Sequence, residues 1–268
     1  MSDVDELKDL IRAKLIIPFV GAGFSVNMGL PTWSELIDFI AAELGYDPEI
    51  FQVQGNAMQL AEYYLIKKKG NISELTKKLK SWFDGVDIDI TTSEQHLALV
   101  RLNSDIIYTT NYDNLIEKAF LASKKKYFPI VRIDDIRKCK PNTTQIVKFH
   151  GTVDDDDSIV LAESHYFNRL SLESALDIKL RYDLMGRSLL FIGYGYQDIN
   201  IRYMGFNLLK LWKLDRSVVD DLPKSYFLGF GIGEVQKTIM KEMYNIVAID
   251  LDPENKTESL VTFLNSLV

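Results

Sequence analysis

The sequence contains few of the residues that build metal and disulfide sites. Its 268 residues include one cysteine, Cys139, and three histidines. A lone cysteine excludes an internal disulfide and a multi-cysteine zinc site, and the three histidines lie far apart, without metal-ligand spacing. We therefore expect this protein to bind no metal.

Long apolar runs and an excess of positive charge are absent as well. No apolar stretch approaches the roughly 20 residues that a membrane-spanning helix needs, and the first residues lack the basic start and apolar run of a signal peptide. The net charge of −7 argues against a broad nucleic-acid-binding face. We expect a soluble, cytoplasmic protein with no membrane partner and no direct contact with nucleic acid.

Short apolar runs that alternate with helical patterns predict an α/β fold. We predict strands at residues 15–20, 105–110, 129–133, 145–151, 158–162, 188–195, 225–230 and 245–251. Several are continuously apolar, as strands of a parallel sheet covered by helices on both faces must be. Residues 33–102 instead place apolar residues every three or four positions, which predicts a helical insertion after the first strand. We expect one Rossmann-like domain over residues 1–268, with a mostly parallel sheet.

Glycine-rich or polar segments follow four of the predicted strands. They are GAGFS (residues 21–25), TTNYD (109–113), FHG (149–151) and GYGYQD (193–198). Parallel sheets bind ligands at the carboxyl ends of their strands, and small residues let backbone N–H groups approach a phosphate. The four segments together favour a nucleotide site.

Each segment also has a structural interpretation when it is taken alone. GAGFS lacks the full G-x-G-x-x-G fingerprint, so a plain turn is the favoured interpretation of that segment by itself. The asparagine and aspartate of TTNYD can cap the helix that follows, and an isolated histidine such as His150 is usually structural. For His96 we expect packing or a surface position, and for His165 a helix start. The acidic run 154–157 is expected to be a solvated loop.

In this order, the four segments resemble the motifs of the sirtuin (Sir2) family over most of the chain. GAGFS resembles the family's GAG-[IF]-S loop, and TTNYD resembles its T-Q-N-x-D segment. KFHG resembles the strand that carries the family's invariant histidine, and FIGYGYQD takes the place of its glycine-serine nucleotide loop. GLPTW (29–33) is closer to a bacterial Sir2-like branch, which reads G-L-P-x-W, than to the protein deacylases, which read G-I-P-D-F-R.

The departures from the deacylases indicate the activity that the resemblance implies. Their four-cysteine zinc module is missing, and Ser34 and Trp33 stand where they have arginine and phenylalanine. Members of the bacterial branch are NAD-consuming effectors of anti-phage defence. The resemblance therefore implies an NAD+ glycohydrolase that releases nicotinamide and ADP-ribose. An NAD-dependent deacylase or ADP-ribosyltransferase, and a nucleotide-binding sensor without turnover, are the alternatives.

The resemblance also suggests roles for individual residues. Asn111 and His150 are the candidate catalytic residues: the asparagine would hold the ribose or the attacking water, and the histidine would be a general base with a pKa near neutrality. Asp113 would receive the nicotinamide carboxamide, and Trp33 would shield the sugar from water. The candidate NAD-binding residues are Gly21, Ala22, Gly23, Phe24, Ser25, Trp33, Thr110, Asp113, Gly193, Tyr194 and Gly195.

An enzyme that destroyed NAD freely would kill its host, so we expect its activity to be gated. No separate sensor domain is visible in the sequence, which favours gating through a homo-oligomer or a partner protein. The helical segment 33–102 is the candidate surface. NAD is expected rather than NADP, because no arginine lies in the first strand-to-helix turn to bind a 2′-phosphate.

Overall fold

A seven-stranded sheet lies at the centre of the structure, a computed structural model that describes residues 2–170, 174–196, 198, 202–207, 209–210 and 223–268. The strands are β1 (Ile16–Val20), β2 (Ile106–Thr109), β3 (Tyr127–Ile130), β4 (Thr144–Lys148), β5 (Ser188–Ile192), β6 (Ser225–Phe230) and β7 (Ile246–Leu251). Their order is β3-β4-β2-β1-β5-β6-β7, and every described pairing is parallel. The predicted α/β fold with a parallel sheet is confirmed.

Helices flank this sheet and fill the long connection between its first two strands. They are α1 (Asp3–Arg12), α2 (Trp33–Leu44), α3 (Pro48–Gln52), α4 (Ala57–Lys67), α5 (Ser73–Gly85), α6 (Glu94–Arg101), α7 (Leu115–Ala122), α8 (Ile133–Ile136), α9 (Glu163–Leu170), α10 (Ala175–Asp183), α11 (Glu234–Tyr244) and α12 (Lys256–Ser266). Helices α2 to α6 lie between β1 and β2, which confirms the predicted insertion. Within the described ranges, no helix has the length and apolarity to cross a bilayer.

The central strand β1 shows why its sequence is apolar throughout. All five of its residues are buried. Ile16 and Val20 pack into the core on one face of the sheet, and Ile17 and Phe19 pack into the core on the other face. Because successive strand residues point to opposite faces, a strand covered on both sides needs an apolar residue at every position.

The helical insertion has a core of its own. Ile40, Tyr64 and Leu75, from α2, α4 and α5, are fully buried in it. Helix α2 begins with a capping box, in which Thr32 Oγ1 accepts from the N–H of Glu35 and the Glu35 carboxylate accepts from the N–H of Thr32. The insertion is therefore a packed helical layer and not an extended loop.

One predicted strand is absent, and another ends earlier than predicted. Residues 158–162 form no strand; residues 159–162 are apolar because Ile159, Leu161 and Ala162 pack into the core of the insertion. The strand predicted at 129–133 is β3, which ends at Ile130. Asp135 accepts hydrogen bonds from the N–H groups of residues 131 and 132, and this turn starts α8 where the strand was expected to continue.

Candidate active site

The four segments singled out in the sequence lie side by side at the carboxyl ends of four neighbouring strands. Strands β4, β2, β1 and β5 are neighbours, and their last residues are in register: Lys148 pairs with Thr109, Thr109 with Val20, and Val20 with Ile192. The segments that follow these residues therefore leave the sheet at the same level. Parallel sheets bind their ligands at these carboxyl ends.

Asn111 is held from two sides and keeps one polar atom without a partner. It is 6% exposed. Its backbone N–H donates to Thr109 Oγ1 at 3.0 Å, and its Nδ2 donates to Ser25 Oγ at 3.3 Å. Among the described residues, its Oδ1 has no hydrogen-bond partner. A buried acceptor without a donor is costly to the folded protein, so this atom marks a place where a ligand can donate.

His150 occupies the matching position after β4. It is 2% exposed, and its Nε2 also lacks a partner within the described part of the chain. Its ring stacks on Phe149 and meets the ring of Tyr166 edge to face at 5.2 Å. Burial lowers the pKa of His150 to about 3, and the guanidinium of Arg169 lowers it further.

The pKa near neutrality expected for His150 is therefore wrong for the ligand-free protein. An ionised imidazole would lose its hydration in this buried position and would face the charge of Arg169. His150 is neutral at physiological pH. A neutral ring can still accept a hydrogen bond or a proton through Nε2 when a substrate hydroxyl reaches it.

Asp113 shapes the turn that presents Asn111. Its Oδ1 accepts from the N–H of Leu115 at 3.0 Å, at the start of α7. Its backbone carbonyl accepts from the ammonium of Lys148, a buried side chain that also pairs with Glu117 at 3.4 Å. The aspartate accepts from the first N–H of α7, whose N-cap residue is Asn114, and the asparagine carries the unpartnered oxygen. A ligand contact at Asn111 stays a prediction.

Backbone carbonyls of the loop itself, of β5 and of the residue after β5 bind three amides of the GAGFS loop. The N–H of Gly21 donates to Ile192 O and that of Gly23 to Gly193 O, both at 2.9 Å, while the N–H of Ser25 donates to Ala22 O at 3.0 Å. These amides are engaged without any ligand. Phosphate binding by this loop stays a prediction, and Ala22 and Gly23 are its exposed residues.

Tyr194, which follows β5, forms hydrogen bonds at the ends of β1 and β2. Its hydroxyl donates to Val20 O at 3.2 Å and lies 2.9 Å from Thr110 Oγ1. Its ring covers Gly21 so closely that a Cβ there would lie 2.6 Å from it. Of the other predicted NAD-binding residues, Gly195 is exposed and Trp33 packs against the core of the insertion. Gln197, in the same GYGYQD segment, lies outside the described residues.

One feature of the site was missed in the sequence, the contact between His96 and Ser25. His96, expected to pack or to lie on the surface, is fully buried; its Nε2 lies 3.5 Å from Ser25 Oγ, and its ring meets that of Phe24 at 4.7 Å. His165 is in the first turn of α9, as predicted. The sequence signal for the contact between Ser93 and His96 was their spacing. Side chains three residues apart contact each other in the first turn of a helix.

The acidic run 154–157 is solvated at Asp154 and Asp157, as expected, but it is also bound to two neighbouring elements. Asp154 pairs with Lys80 of α5, and the Asp156 carboxylate accepts from Thr76 Oγ1 of the same helix. Asp155 forms two hydrogen bonds to the Arg132 guanidinium, beyond β3. The loop after His150 thus joins the insertion to the edge of the sheet.

Comparison with known proteins decides the family. Residues 105–217 match the model of the SIR2-like domain. The NAD(+) hydrolase ThsA of Bacillus cereus (strain MSX-D12) is 31% identical over 202 residues, which are 75% of this chain and 41% of that protein. The chain belongs to the SIR2-like family.

Other SIR2-like relatives agree with this assignment. The NAD(+) hydrolase ThsA of Cytobacillus dafuensis is 29% identical over 265 residues, 92% of this chain and 52% of that protein. The defense-associated sirtuin 2 of Bacillus subtilis is 26% identical over 235 residues, 84% of this chain and 22% of that protein. The chain thus spans about half or less of the length of these relatives. The resemblance to the bacterial branch is confirmed.

The GYGYQD segment contains two glycines that we expect to respond differently to substitution. Gly193 has φ +76°, and a Cβ there would lie 2.4 Å from the backbone nitrogen of Phe24. We expect Gly193→Ala to lower the free energy of unfolding by about 3 kcal/mol, from backbone strain and the clash together. Gly195→Ala is the matched control, because a Cβ at Gly195 would meet nothing within 4 Å. Urea unfolding measures both, and equal midpoints would contradict the packing described here.

Proposed function

We propose that this chain is an NAD+ glycohydrolase, which cleaves the bond between nicotinamide and ribose to give nicotinamide and ADP-ribose. The observation that carries the proposal is the pair of buried acceptors, Asn111 Oδ1 and His150 Nε2, that lack partners among the described residues at matching positions beyond adjacent strands. The names of the ThsA relatives, NAD(+) hydrolases, support it.

The proposed chemistry needs acceptors more than acids. When the glycosidic C1′–N bond breaks, its electron pair goes to the pyridinium nitrogen and nicotinamide leaves as a neutral molecule. The ribose becomes oxocarbenium-like and positive at C1′, and the oxygen of a water then bonds to C1′ and loses one proton. Positioning and electrostatics therefore supply most of the rate enhancement.

Each of the two acceptors has a task in that sequence. Asn111 Oδ1 accepts from a ribose hydroxyl or from the attacking water and fixes its direction. His150 Nε2 accepts a hydrogen bond, and then the proton, from the hydroxyl or water that it faces. An imidazole that starts neutral is competent for this, and the burial of both side chains strengthens both interactions.

Other NAD chemistry is the second candidate. A deacylase or ADP-ribosyltransferase would use the same substrate, but the chain has one cysteine and so cannot form the four-cysteine zinc module of the deacylases. In the described ranges, no group of three or more His, Cys, Asp or Glu could hold a metal ion.

We further propose that the activity is gated in the cytoplasm by a second copy of the chain or by a partner protein, through the helical insertion. On α3, α4 and the turn between them, Ile50, Val53 and Ile66 are 60%, 84% and 65% exposed. Exposed apolar side chains are typical of an interaction surface where they form one patch. A purified monomer with full activity would contradict this gating.

The experiment that tests the function is product analysis with NAD and the purified chain, alone and together with the protein encoded beside it. Equal amounts of nicotinamide and ADP-ribose would support hydrolysis. O-acyl-ADP-ribose formed with an acyl-lysine peptide would instead establish a deacylase. Binding of NAD without any release of nicotinamide would favour a sensor.

A further inference from the structure

Four buried polar side chains form a continuous chain behind the candidate site. Asn111 Nδ2 lies 3.3 Å from Ser25 Oγ, Ser25 Oγ lies 3.5 Å from His96 Nε2, and His96 Nδ1 lies 2.7 Å from Ser93 Oγ. His96 is 0% exposed, and Ser25 and Ser93 are 3% and 6% exposed. With so little solvent access, these groups must satisfy one another.

The tautomer of His96 decides in which direction the donors and acceptors of this chain run. The amide NH2 of Asn111 can only donate, so Ser25 Oγ accepts from it. With the ring hydrogen on Nδ1, His96 donates to Ser93 Oγ, and its Nε2 accepts from the Ser25 hydroxyl. With the hydrogen on Nε2, the ring would donate to Ser25 and accept from Ser93.

The ring of His96 is neutral at physiological pH. Burial lowers the pKa of His96 to about 4, and this outweighs the opposing influence of the Asp113 carboxylate, which raises it. A neutral imidazole has one donor and one acceptor nitrogen, which is what the chain requires. The tautomer decides which nitrogen is which.

We propose that His96 is a positioning residue for the reaction: as the Nδ1–H tautomer, it directs the Ser25 hydroxyl so that Asn111 turns its carbonyl oxygen, and not its NH2 group, toward the reacting ribose. This inference rests on the proposed NAD hydrolysis. The opposite tautomer would let Ser25 donate to Asn111 Oδ1. The amide would then present two donors to a hydroxyl or water that needs an acceptor.

The competing explanation is that His96 only fills space against Phe24. Two substitutions separate the explanations. His96→Phe keeps an aromatic ring against Phe24 and removes both ring nitrogens. His96→Gln loses the ring but places an amide oxygen near the position of Nε2, where Ser25 can still donate. Packing alone predicts that the phenylalanine variant is the more active, and positioning predicts the reverse order.

We expect His96→Phe to lower kcat for nicotinamide release about tenfold, the factor that one lost hydrogen bond supplies, with the KM for NAD within about twofold of the wild type. His96→Gln should recover most of that kcat. The matched control is His165→Gln on α9, whose ring accepts from the N–H of Leu161 outside the site. A phenylalanine variant with wild-type kcat would overturn the proposal.

A spectroscopic measurement on the wild-type protein decides the tautomer without any assay. The chain has three histidines, so the ring nitrogens of a ¹⁵N-labelled sample are assignable by comparison with the His96 and His165 variants. The expected result is a neutral His96 ring with hydrogen on Nδ1. Hydrogen on Nε2 would overturn the inference. If the wild type released no nicotinamide, the proposed function would fail, while this measurement would still decide the direction of the chain.

Discussion

Replacing His150 with alanine is expected to lower the rate of nicotinamide release at least a hundredfold. The substitution removes Nε2, the buried acceptor without a partner among the described residues, and proton transfer by a positioned side chain contributes roughly 10² to 10⁴ in rate. Asn111→Ala should cause a loss of similar size, since it removes the other acceptor. Initial rates with saturating NAD, compared by nicotinamide quantification, measure both.

Loss of activity has to be separated from loss of fold, because His150 is buried. His150→Asn keeps a polar side chain at this buried position but shortens it, and it should be equally inactive. The matched control is His165→Ala, which removes a partly buried histidine from α9. All variants should show the circular dichroism of the wild type. Turnover near the wild-type rate in a folded His150 or Asn111 variant would exclude that residue from catalysis.

Acidification from pH 7.5 to pH 5 is expected to cost about 4 kcal/mol of folding free energy. Burial lowers the pKa of His96 to about 4 and that of His150 to about 3, from an ordinary value of 6.5. Between pH 6.5 and these lowered pKa values, the two histidines are protonated in the unfolded chain and neutral in the folded protein. Their full contribution to the folding free energy is therefore present above pH 6.5, and it is lost as the pH falls below that value. Each histidine contributes about 2 kcal/mol at pH 5.

Urea unfolding at the two pH values measures this loss. His96→Phe removes one of the two rings with the largest pKa shifts, so its loss of stability should be about half that of the wild type. The pKa of His165 is also lowered by burial, and His165→Gln should change the loss less. The carboxylates whose pKa is lowered by hydrogen bonds, such as Glu35 and Asp155, start from values near 4 and act below this window. A stability unchanged at pH 5 would show that both rings reach solvent.

Periodicity and strand ends predicted much of this structure. The five apolar residues of β1 and the helical spacing of the insertion each follow from local geometry, and Asn111 and His150 follow from the rule that ligands bind at the carboxyl ends of parallel strands. All of these are properties of short segments, which a sequence displays directly.

What the sequence could not predict depends on partners far along the chain. His96 lies 71 residues from Ser25, and Lys80 lies 74 residues from Asp154. Nothing local distinguishes a buried histidine beside the site from one in an ordinary core, or a paired acidic run from a solvated one. Residues 159–162 are apolar because they pack against the helices of the insertion. A short apolar run of this length predicts a strand when the element it packs against is not known.

The position of β1 in the middle of the sheet has a consequence for synthesis. Its last residue, Val20, accepts hydrogen bonds from Thr109 and Tyr194, which follow it by 89 and 174 residues. At the ~5–20 residues per second of translation, this apolar strand waits roughly 10–30 s on the ribosome before both neighbours exist. Until then, it is a segment that chaperones can bind and that can pair with another nascent chain.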